Sequence, residues 1–139
     1  MKQLILLLSF ILSFSSVFAQ VGKKEALEKN IKSVSEWETK LRGRKSKPVQ
    51  ESYTEFNQVG KIVEIIERNN SGEITLHEKY EYDEVGNKTV EIQLNSNGSI
   101  NKKHVYIYDQ NLRTARKTYG PSGKLIAEKM YIYKFHDKD

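Results

Sequence analysis

After the first twenty residues, apolar residues recur with one spacing in the first part of the chain and with another in the rest. Between Gly22 and Leu41 apolar residues recur every three or four positions, which predicts one amphipathic helix with a single apolar stripe. From Ser52 onwards apolar and polar residues alternate, as they do in half-buried β-strands. The residues of the helical stripe are Leu27, Ile31, Val34, Trp37 and Leu41.

The alternating region repeats itself with a step of 25 or 26 residues. A Tyr-x-Tyr sequence begins at Tyr80, Tyr106 and Tyr131, and a diverged copy, Thr54-Glu55-Phe56-Asn57, comes 26 residues before the first. A period of this length marks a repeated supersecondary unit. Turn glycines keep the same step, at Gly72, Gly98 and Gly123.

Short turns rich in Gly, Asn and Ser connect the predicted strands, and such turns supply the positive φ angles that tight hairpins need. Strands joined by so few residues should be antiparallel neighbours. We therefore predict a mainly β fold: an antiparallel β-meander of three tandem hairpin repeats, about six or seven strands, with one N-terminal amphipathic helix packed on it. The face that carries the repeated tyrosines is expected to form the core beneath that helix.

The first nineteen residues have the layout of a secretory signal peptide. Lys2 precedes an apolar run that is shorter than the ~20 residues of a spanning helix, and Val17-Phe18-Ala19 precedes Gln20. We predict export to the periplasm or the extracellular space, with no transmembrane segment after cleavage. The predicted domains are a signal peptide (1–19), an amphipathic helix with a basic linker (20–50) and a β-hairpin repeat domain (51–139).

Charge adds one candidate contact surface. The chain has 139 residues, a formal net charge of +5 and no cysteine, so no disulfide can stabilise it outside the cytoplasm. A basic run could contact an anionic surface, or it could be a solvated linker at the end of the helix. Export argues against nucleic acid as the partner. The basic residues are Lys40, Arg42, Arg44, Lys45 and Lys47.

The sequence Tyr80-Glu81-Tyr82-Asp83-Glu84-Val85-Gly86-Asn87 resembles the Tyr-x-Tyr-Asp-x-x-Gly signature of YD (RHS-type) repeats. The resemblance extends over roughly residues 52–135, although Leu112 replaces the glycine of the next copy and Lys134 the aspartate of the last. It implies tandem β-hairpins and an exported protein, but three units are too few to close the shell that such repeats form around toxins. The chain also resembles small secreted proteins of Bacteroidota-type bacteria.

The ionisable residues give little support for catalysis or metal binding, so we predict a non-enzyme without metal or cofactor. Glu78, His104 and Lys129 fall at matching repeat positions, but alternate strands of a meander lie ~9–10 Å apart, too far for direct hydrogen bonds. The aspartates that open the turns, Asp83 and Asp109, have too few oxygen neighbours for a calcium site.

We expect a binding or interaction module for an envelope glycan or a protein partner, because aromatic side chains suit both kinds of ligand. An alternative is a structural, self-associating protein whose sheet edges, around Tyr53–Phe56 and Met130–Phe135, pair with other copies. A hydrolase that depends on His104 is a remote alternative. The candidate ligand-binding residues are Tyr106, Tyr108, Tyr131 and Tyr133.

Overall fold

The structure, a computed structural model, describes residues 21–39 and 47–136, which form one antiparallel sheet and one short helix. The eight described strands follow one another in the sheet in chain order, which confirms the predicted mainly β meander. The elements are α1 (Lys23–Glu28), β1 (Ser33–Glu38), β2 (Val49–Phe56), β3 (Ile62–Arg68), β4 (Ile74–Tyr82), β5 (Lys88–Leu94), β6 (Ile100–Asp109), β7 (Leu112–Tyr119) and β8 (Leu125–Met130).

Two predicted features lie outside the described residues: the signal peptide (1–19) and most of the basic run, namely Lys40, Arg42, Arg44 and Lys45. Lys47, the last residue of that run, is described and exposed just before β2. In the part of the chain that the structure describes, the one helix is too short to span a membrane.

The helix is much shorter than its pattern predicts. It ends at Glu28, and Asn30 adopts the left-handed conformation (φ 51°) that commonly terminates helices. The chain then becomes extended, and β1 pairs with β2, with Val34 opposite Thr54. The prediction of one helix from Gly22 to Leu41 is therefore wrong from Ser33 to Glu38, where the backbone hydrogen bonds are made with β2 instead of within a helix.

Helix α1 packs at the turn between β2 and β3, and not across the tyrosine-bearing face as predicted. Gly60 in this turn has a φ of +71°, and a Cβ atom there would lie 2.5 Å from the carbonyl oxygen of Lys23 and 3.0 Å from the Leu27 Cβ. Ala26 of the helix and Phe56 at the end of β2 are both buried at this end of the sheet. The helix therefore shields the start of the repeat region.

Five of the described turns share one geometry, in which the amide of the first residue donates to the carbonyl of the fifth and the fourth residue is a glycine with positive φ. Their first and fourth residues are Asn57 and Gly60, Asn69 and Gly72, Asp83 and Gly86, Asn95 and Gly98, and Gly120 and Gly123. The β6–β7 turn differs, because Gln110 (φ 47°) and Asn111 (φ 65°) form a two-residue turn. Leu112, which stands where the repeat expects glycine, already pairs with Asp109 in the sheet.

The sheet is a single layer, and none of the large described side chains is fully buried. Register and alternation divide the strands between two faces, which we call the tyrosine face and the opposite face. The tyrosine face carries Tyr80, Tyr82, Glu91, His104, Tyr106, Tyr108, Arg116 and Lys129. The opposite face carries Val90, Ile92, Val105, Ile107, Ala115 and Met130.

Candidate functional site

The second tyrosine of each Tyr-x-Tyr sequence connects two neighbouring strands. Its hydroxyl group donates a hydrogen bond to a backbone carbonyl at or near the start of the preceding strand. The bonds are Tyr82 to Ile62 (2.8 Å), Tyr108 to Lys88 (2.9 Å) and Tyr133 to Arg113 (2.7 Å). Because the same hydrogen bond recurs in each repeat, these hydroxyl groups stabilise the fold.

Tyr80 and Tyr106, the first tyrosines of their Tyr-x-Tyr sequences, belong to a charged network around Glu91. The Glu91 Oε2 atom accepts hydrogen bonds from Lys88 Nζ (2.6 Å) and from the Tyr106 hydroxyl (3.0 Å). Lys88 Nζ also lies 4.9 Å from the ring centroid of Tyr80 and 5.5 Å from that of Tyr106. Cation–π contacts and charge-assisted hydrogen bonds therefore link β4, β5 and β6.

This environment shifts the pKa values of both partners of the hydrogen bond. Burial alone would raise the pKa of Glu91, but the hydrogen bonds from Lys88 and Tyr106 outweigh it and hold that pKa below its usual value. Burial and the hydrogen bond to Glu91 raise the pKa of Tyr106 to about 12. At neutral pH Glu91 is therefore ionised, and it accepts a hydrogen bond from the protonated hydroxyl group of Tyr106.

Two of the four predicted ligand-binding residues, Tyr106 and Tyr108, are thus used within the sheet. Tyr106 is only 8% exposed, and the Arg113 guanidinium lies 4.4 Å from its ring centroid. Arg113 also donates to the Tyr108 hydroxyl (3.2 Å), which in turn donates to the Lys88 carbonyl. These two rings present little open surface to a ligand.

The other two predicted ligand-binding residues, Tyr131 and Tyr133, lie at the end of the sheet. In the described chain β8 pairs with β7 and has no strand on its other side. Tyr131 continues this pairing through a hydrogen bond from its amide to the Thr114 carbonyl (2.9 Å), and the Tyr133 side chain is 42% exposed. We call β8 together with residues 131–135 the C-terminal edge.

Large apolar side chains remain exposed along the C-terminal edge. Met130 is 74% exposed and Ile132 is 88% exposed, and Phe135 is also exposed. On the opposite face Met130 pairs in register with Ala115, which pairs with the partly exposed Ile107. A row of apolar side chains thus reaches the margin of the sheet, where an exposed apolar patch commonly marks an interaction surface.

The backbone of β8 also offers hydrogen-bonding groups. Because the Tyr131 amide points to β7, alternation along an antiparallel strand turns the amides of Glu128 and Met130 towards the outer side. Unpaired amides and carbonyls on an edge strand are a template for pairing with another chain. All six residues of β8 are exposed, so the described residues leave its side chains and its outer backbone groups uncovered.

Charge is distributed unevenly along the sheet. Residues 49–101 contain ten Asp and Glu against four Lys and Arg, whereas residues 102–136 contain eight Lys and Arg against two Asp and Glu. The C-terminal edge therefore belongs to the basic part of the molecule. A charge excess of this size favours encounter with acidic partners.

The three residues at matching repeat positions do not form a joint site. The Glu78 carboxylate accepts hydrogen bonds from Tyr80 and Gln93, and the His104 Nδ1 atom lies 2.9 Å from the Thr118 hydroxyl. The Lys129 ammonium lies over the Tyr131 ring. Burial lowers the pKa of His104, which favours its neutral form. Among the described residues no group of three or more His, Asp or Glu is placed to hold a metal ion.

A cleft of about 360 Å³ lies at the other end of the sheet, on the face of β1, β2 and β3. Its apolar lining includes Val34, Phe56 and Ile65, and Glu36 and Glu67 stand beside it. The Glu36 carboxylate accepts a hydrogen bond from the Ser52 hydroxyl (2.5 Å). The cleft could not be expected from the apolar pattern, because one of its walls is β1, which that pattern predicts to be helical.

Comparison of the chain with protein-family models, with curated proteins and with solved structures found no match. The candidate site therefore rests on the geometry of this sheet alone.

Proposed function

We propose that this protein is an exported, non-enzymatic interaction module that binds an extended segment of a protein partner by strand addition at the C-terminal edge. The observation that carries the proposal is an edge strand with outward-facing amides and highly exposed apolar side chains. Strand addition to such an edge gains main-chain hydrogen bonds, while alternate side chains supply specificity.

The repeat supports this proposal. β4, β6 and β8 occupy equivalent positions, since Tyr82, Tyr108 and Tyr133 make the same hydrogen bond 25 or 26 residues apart. β4 and β6 each have strands on both sides, whereas β8 in the described chain has one on a single side. An added strand would lie beside β8 in the same way that β5 lies beside β4 and β7 lies beside β6.

Export is the part of the proposal that rests on sequence alone. The layout of residues 1–19 supports it, and so does the resemblance to YD repeats in exported proteins. Tyr131 and Tyr133 remain in the candidate site as side chains on one face of the accepting edge.

A peptide with the sequence of residues 87–94, which covers β5, tests strand addition directly. Backbone amide shifts of the labelled protein on titration should move mainly within residues 124–134. Met130→Pro should abolish these shifts without unfolding the sheet, because Met130 directs its amide outwards and proline removes it. Met130→Thr is the matched control, since it keeps the amide and loses only the apolar side chain.

Each outcome of this titration bears on the proposal. Shifts that persist in Met130→Pro would overturn binding by the outer amides of β8, as would a wild-type protein that shows no shift at millimolar peptide. Weaker but localised shifts in Met130→Thr would show that the backbone provides the recognition and the side chain adds affinity.

A carbohydrate ligand is a second candidate, favoured by the exposure of Tyr133 beside Tyr131 at the margin of the sheet. Aromatic rings that combine an apolar body with a polar tip suit sugar faces. A glycan array with the wild type and Tyr133→Ala would test it. Retention of a bound glycan by Tyr133→Ala would refute this surface.

A further inference from the structure

The last hairpin of the sheet, β7 and β8, differs from the preceding hairpin, β5 and β6, in the sign of the charge of one side chain on the tyrosine face. Tyr80 of β4 pairs with Glu91 of β5, and one repeat later Tyr106 of β6 pairs with Arg116 of β7. Arg116 therefore occupies in β7 the position that Glu91 occupies in β5. In the hairpin of β5 and β6 the Glu91 carboxylate accepts hydrogen bonds from Lys88 and Tyr106. The hairpin of β7 and β8 has no carboxylate at the equivalent position.

Arg116 at this position leaves positive charge without a carboxylate on the tyrosine face of β7 and β8. Arg116 pairs in register with Lys129 of β8, so two cationic side chains lie directly opposite each other on one face. Like charges at opposed positions destabilise a sheet. The Arg116 Nε atom is also buried and makes no hydrogen bond in the described part of the chain. A buried polar atom without a hydrogen-bond partner costs free energy.

The acidic residue of β8 does not relieve this charge. Glu128 lies on the opposite face, in register with Lys117, and its Oε1 atom is 3.8 Å from the Lys117 ammonium. The tyrosine face of the last hairpin thus holds Arg113, Arg116 and Lys129, and in the preceding hairpin the corresponding network includes Glu91.

We propose that the partner segment is an acidic strand that alternates carboxylate and apolar side chains. Its carboxylates would lie on the tyrosine face beside Lys129 and Tyr131, and its apolar side chains would extend the row that ends at Met130 on the opposite face. This inference rests on the proposed strand addition and specifies its partner. The excess of basic residues in 102–136 favours the same partner at longer range.

Two peptides separate charge from strand pairing. One alternates Glu and Val over eight residues, and its matched control has Gln in place of every Glu, which keeps shape and hydrogen-bonding length. We expect the Glu peptide to bind on the order of tenfold tighter at low salt, with a smaller difference at high salt because surface charge is screened. Affinities come from the amide shifts of residues 124–134.

Variants of the protein show which residue causes the preference for the Glu peptide over the Gln peptide. Lys129→Gln should lose most of the preference for Glu over Gln while still binding the Gln peptide, because it keeps the backbone edge. Lys117→Gln is the matched control: it removes a lysine from the neighbouring strand on the opposite face, and the preference should survive.

The possible results distinguish the two levels of the proposal. Equal affinity for the Glu and Gln peptides would overturn the acidic partner and leave strand addition standing. Failure of both peptides and of the β5 peptide to bind would overturn strand addition itself. A wild-type protein that self-associates, together with a monomeric Met130→Pro, would assign the edge to a second copy and overturn a separate acidic partner.

Discussion

The sequence Tyr-Ile-Tyr occurs both in the middle of the sheet and at its C-terminal edge, in different surroundings. Tyr108 and Tyr133 donate the same hydrogen bond to the preceding strand. Tyr106, however, is almost completely buried between two strands, whereas Tyr131 has a strand on one side and solvent on the other. The same Tyr-Ile-Tyr sequence therefore places a buried ring inside the sheet and a half-buried ring at its margin.

The difference shows how a repeat of this kind is stabilised. A Tyr-x-Tyr strand inside the sheet gains partners from both neighbouring strands, as Tyr106 does from Glu91 of β5 and Arg113 of β7. β8 has no following strand in the described chain, so the tyrosines of the C-terminal edge have partners only in β7 and in β8 itself. Terminal units of repeat proteins commonly differ from internal ones for this reason.

The largest expected effect comes from the buried tyrosine. Tyr106→Ala should destabilise the protein by about 3 kcal/mol, because it removes a buried ring and the hydrogen bond to Glu91. Tyr131→Ala, at the equivalent position of the edge, should cost about 1 kcal/mol. Urea denaturation of both variants measures the difference. Equal losses would contradict the comparison between the middle of the sheet and its edge.

Glu91→Gln should cost about 2 kcal/mol, because Lys88 and Tyr106 would lose a charged acceptor that is only 15% exposed. Glu81 is an exposed carboxylate on the opposite face of β4, and Glu81→Gln is the matched control. Its effect should stay within about 0.5 kcal/mol. A Glu91→Gln variant as stable as the control would show that the network contributes nothing to folding.

Acid should weaken the middle of the sheet through the same carboxylate. The pKa of Glu91 in the folded protein lies below its ordinary value of 4.5, so its stabilising contribution is present above that pH and disappears as pH falls through the lower, folded pKa. Between neutral pH and pH about 3, wild-type protein should lose more stability than Glu91→Gln. Parallel slopes for the two proteins would refute this assignment.

The sheet could be predicted from the sequence because several local signals agree. Alternation fixes the faces, and glycine at Gly72, Gly98 and Gly123 fixes the turns and hence the order of the strands. The edge near Met130–Phe135 follows from that order. The expectation of a second edge at Tyr53–Phe56 was wrong, because β1 pairs with β2 on that side.

The strand β1 could not be predicted from the apolar spacing alone. Val34 and Trp37 satisfy a helical stripe, but they are also residues that strands favour, and the outcome depends on the distant partner β2. One local signal was present, since Asn30 is the kind of residue that ends helices in the left-handed conformation.

The candidate site could be predicted only in part, because a single-layer sheet makes the equivalent tyrosines look alike in sequence. Tyr106 and Tyr131 occupy the same repeat position, and their different exposure follows from what lies beyond each strand. The exchange of Glu91 for Arg116 is visible in the sequence, but its meaning depends on knowing that both face the same network.

The smallest predicted effects concern single hydroxyl groups. Tyr108→Phe should cost about 1 kcal/mol, since it removes a hydrogen bond to the Lys88 carbonyl inside the sheet and leaves that acceptor partly shielded from water. Tyr133→Phe removes the equivalent bond to the Arg113 carbonyl at an exposed position, where water can replace the donor, and should cost only a few tenths of a kcal/mol. The midpoints of urea denaturation resolve this difference when the two variants have the same denaturant slope. A larger loss for Tyr133→Phe would mean that the C-terminal edge depends on this bond to stay in place, and the edge would then be a stabilised part of the fold instead of an open acceptor of a further strand.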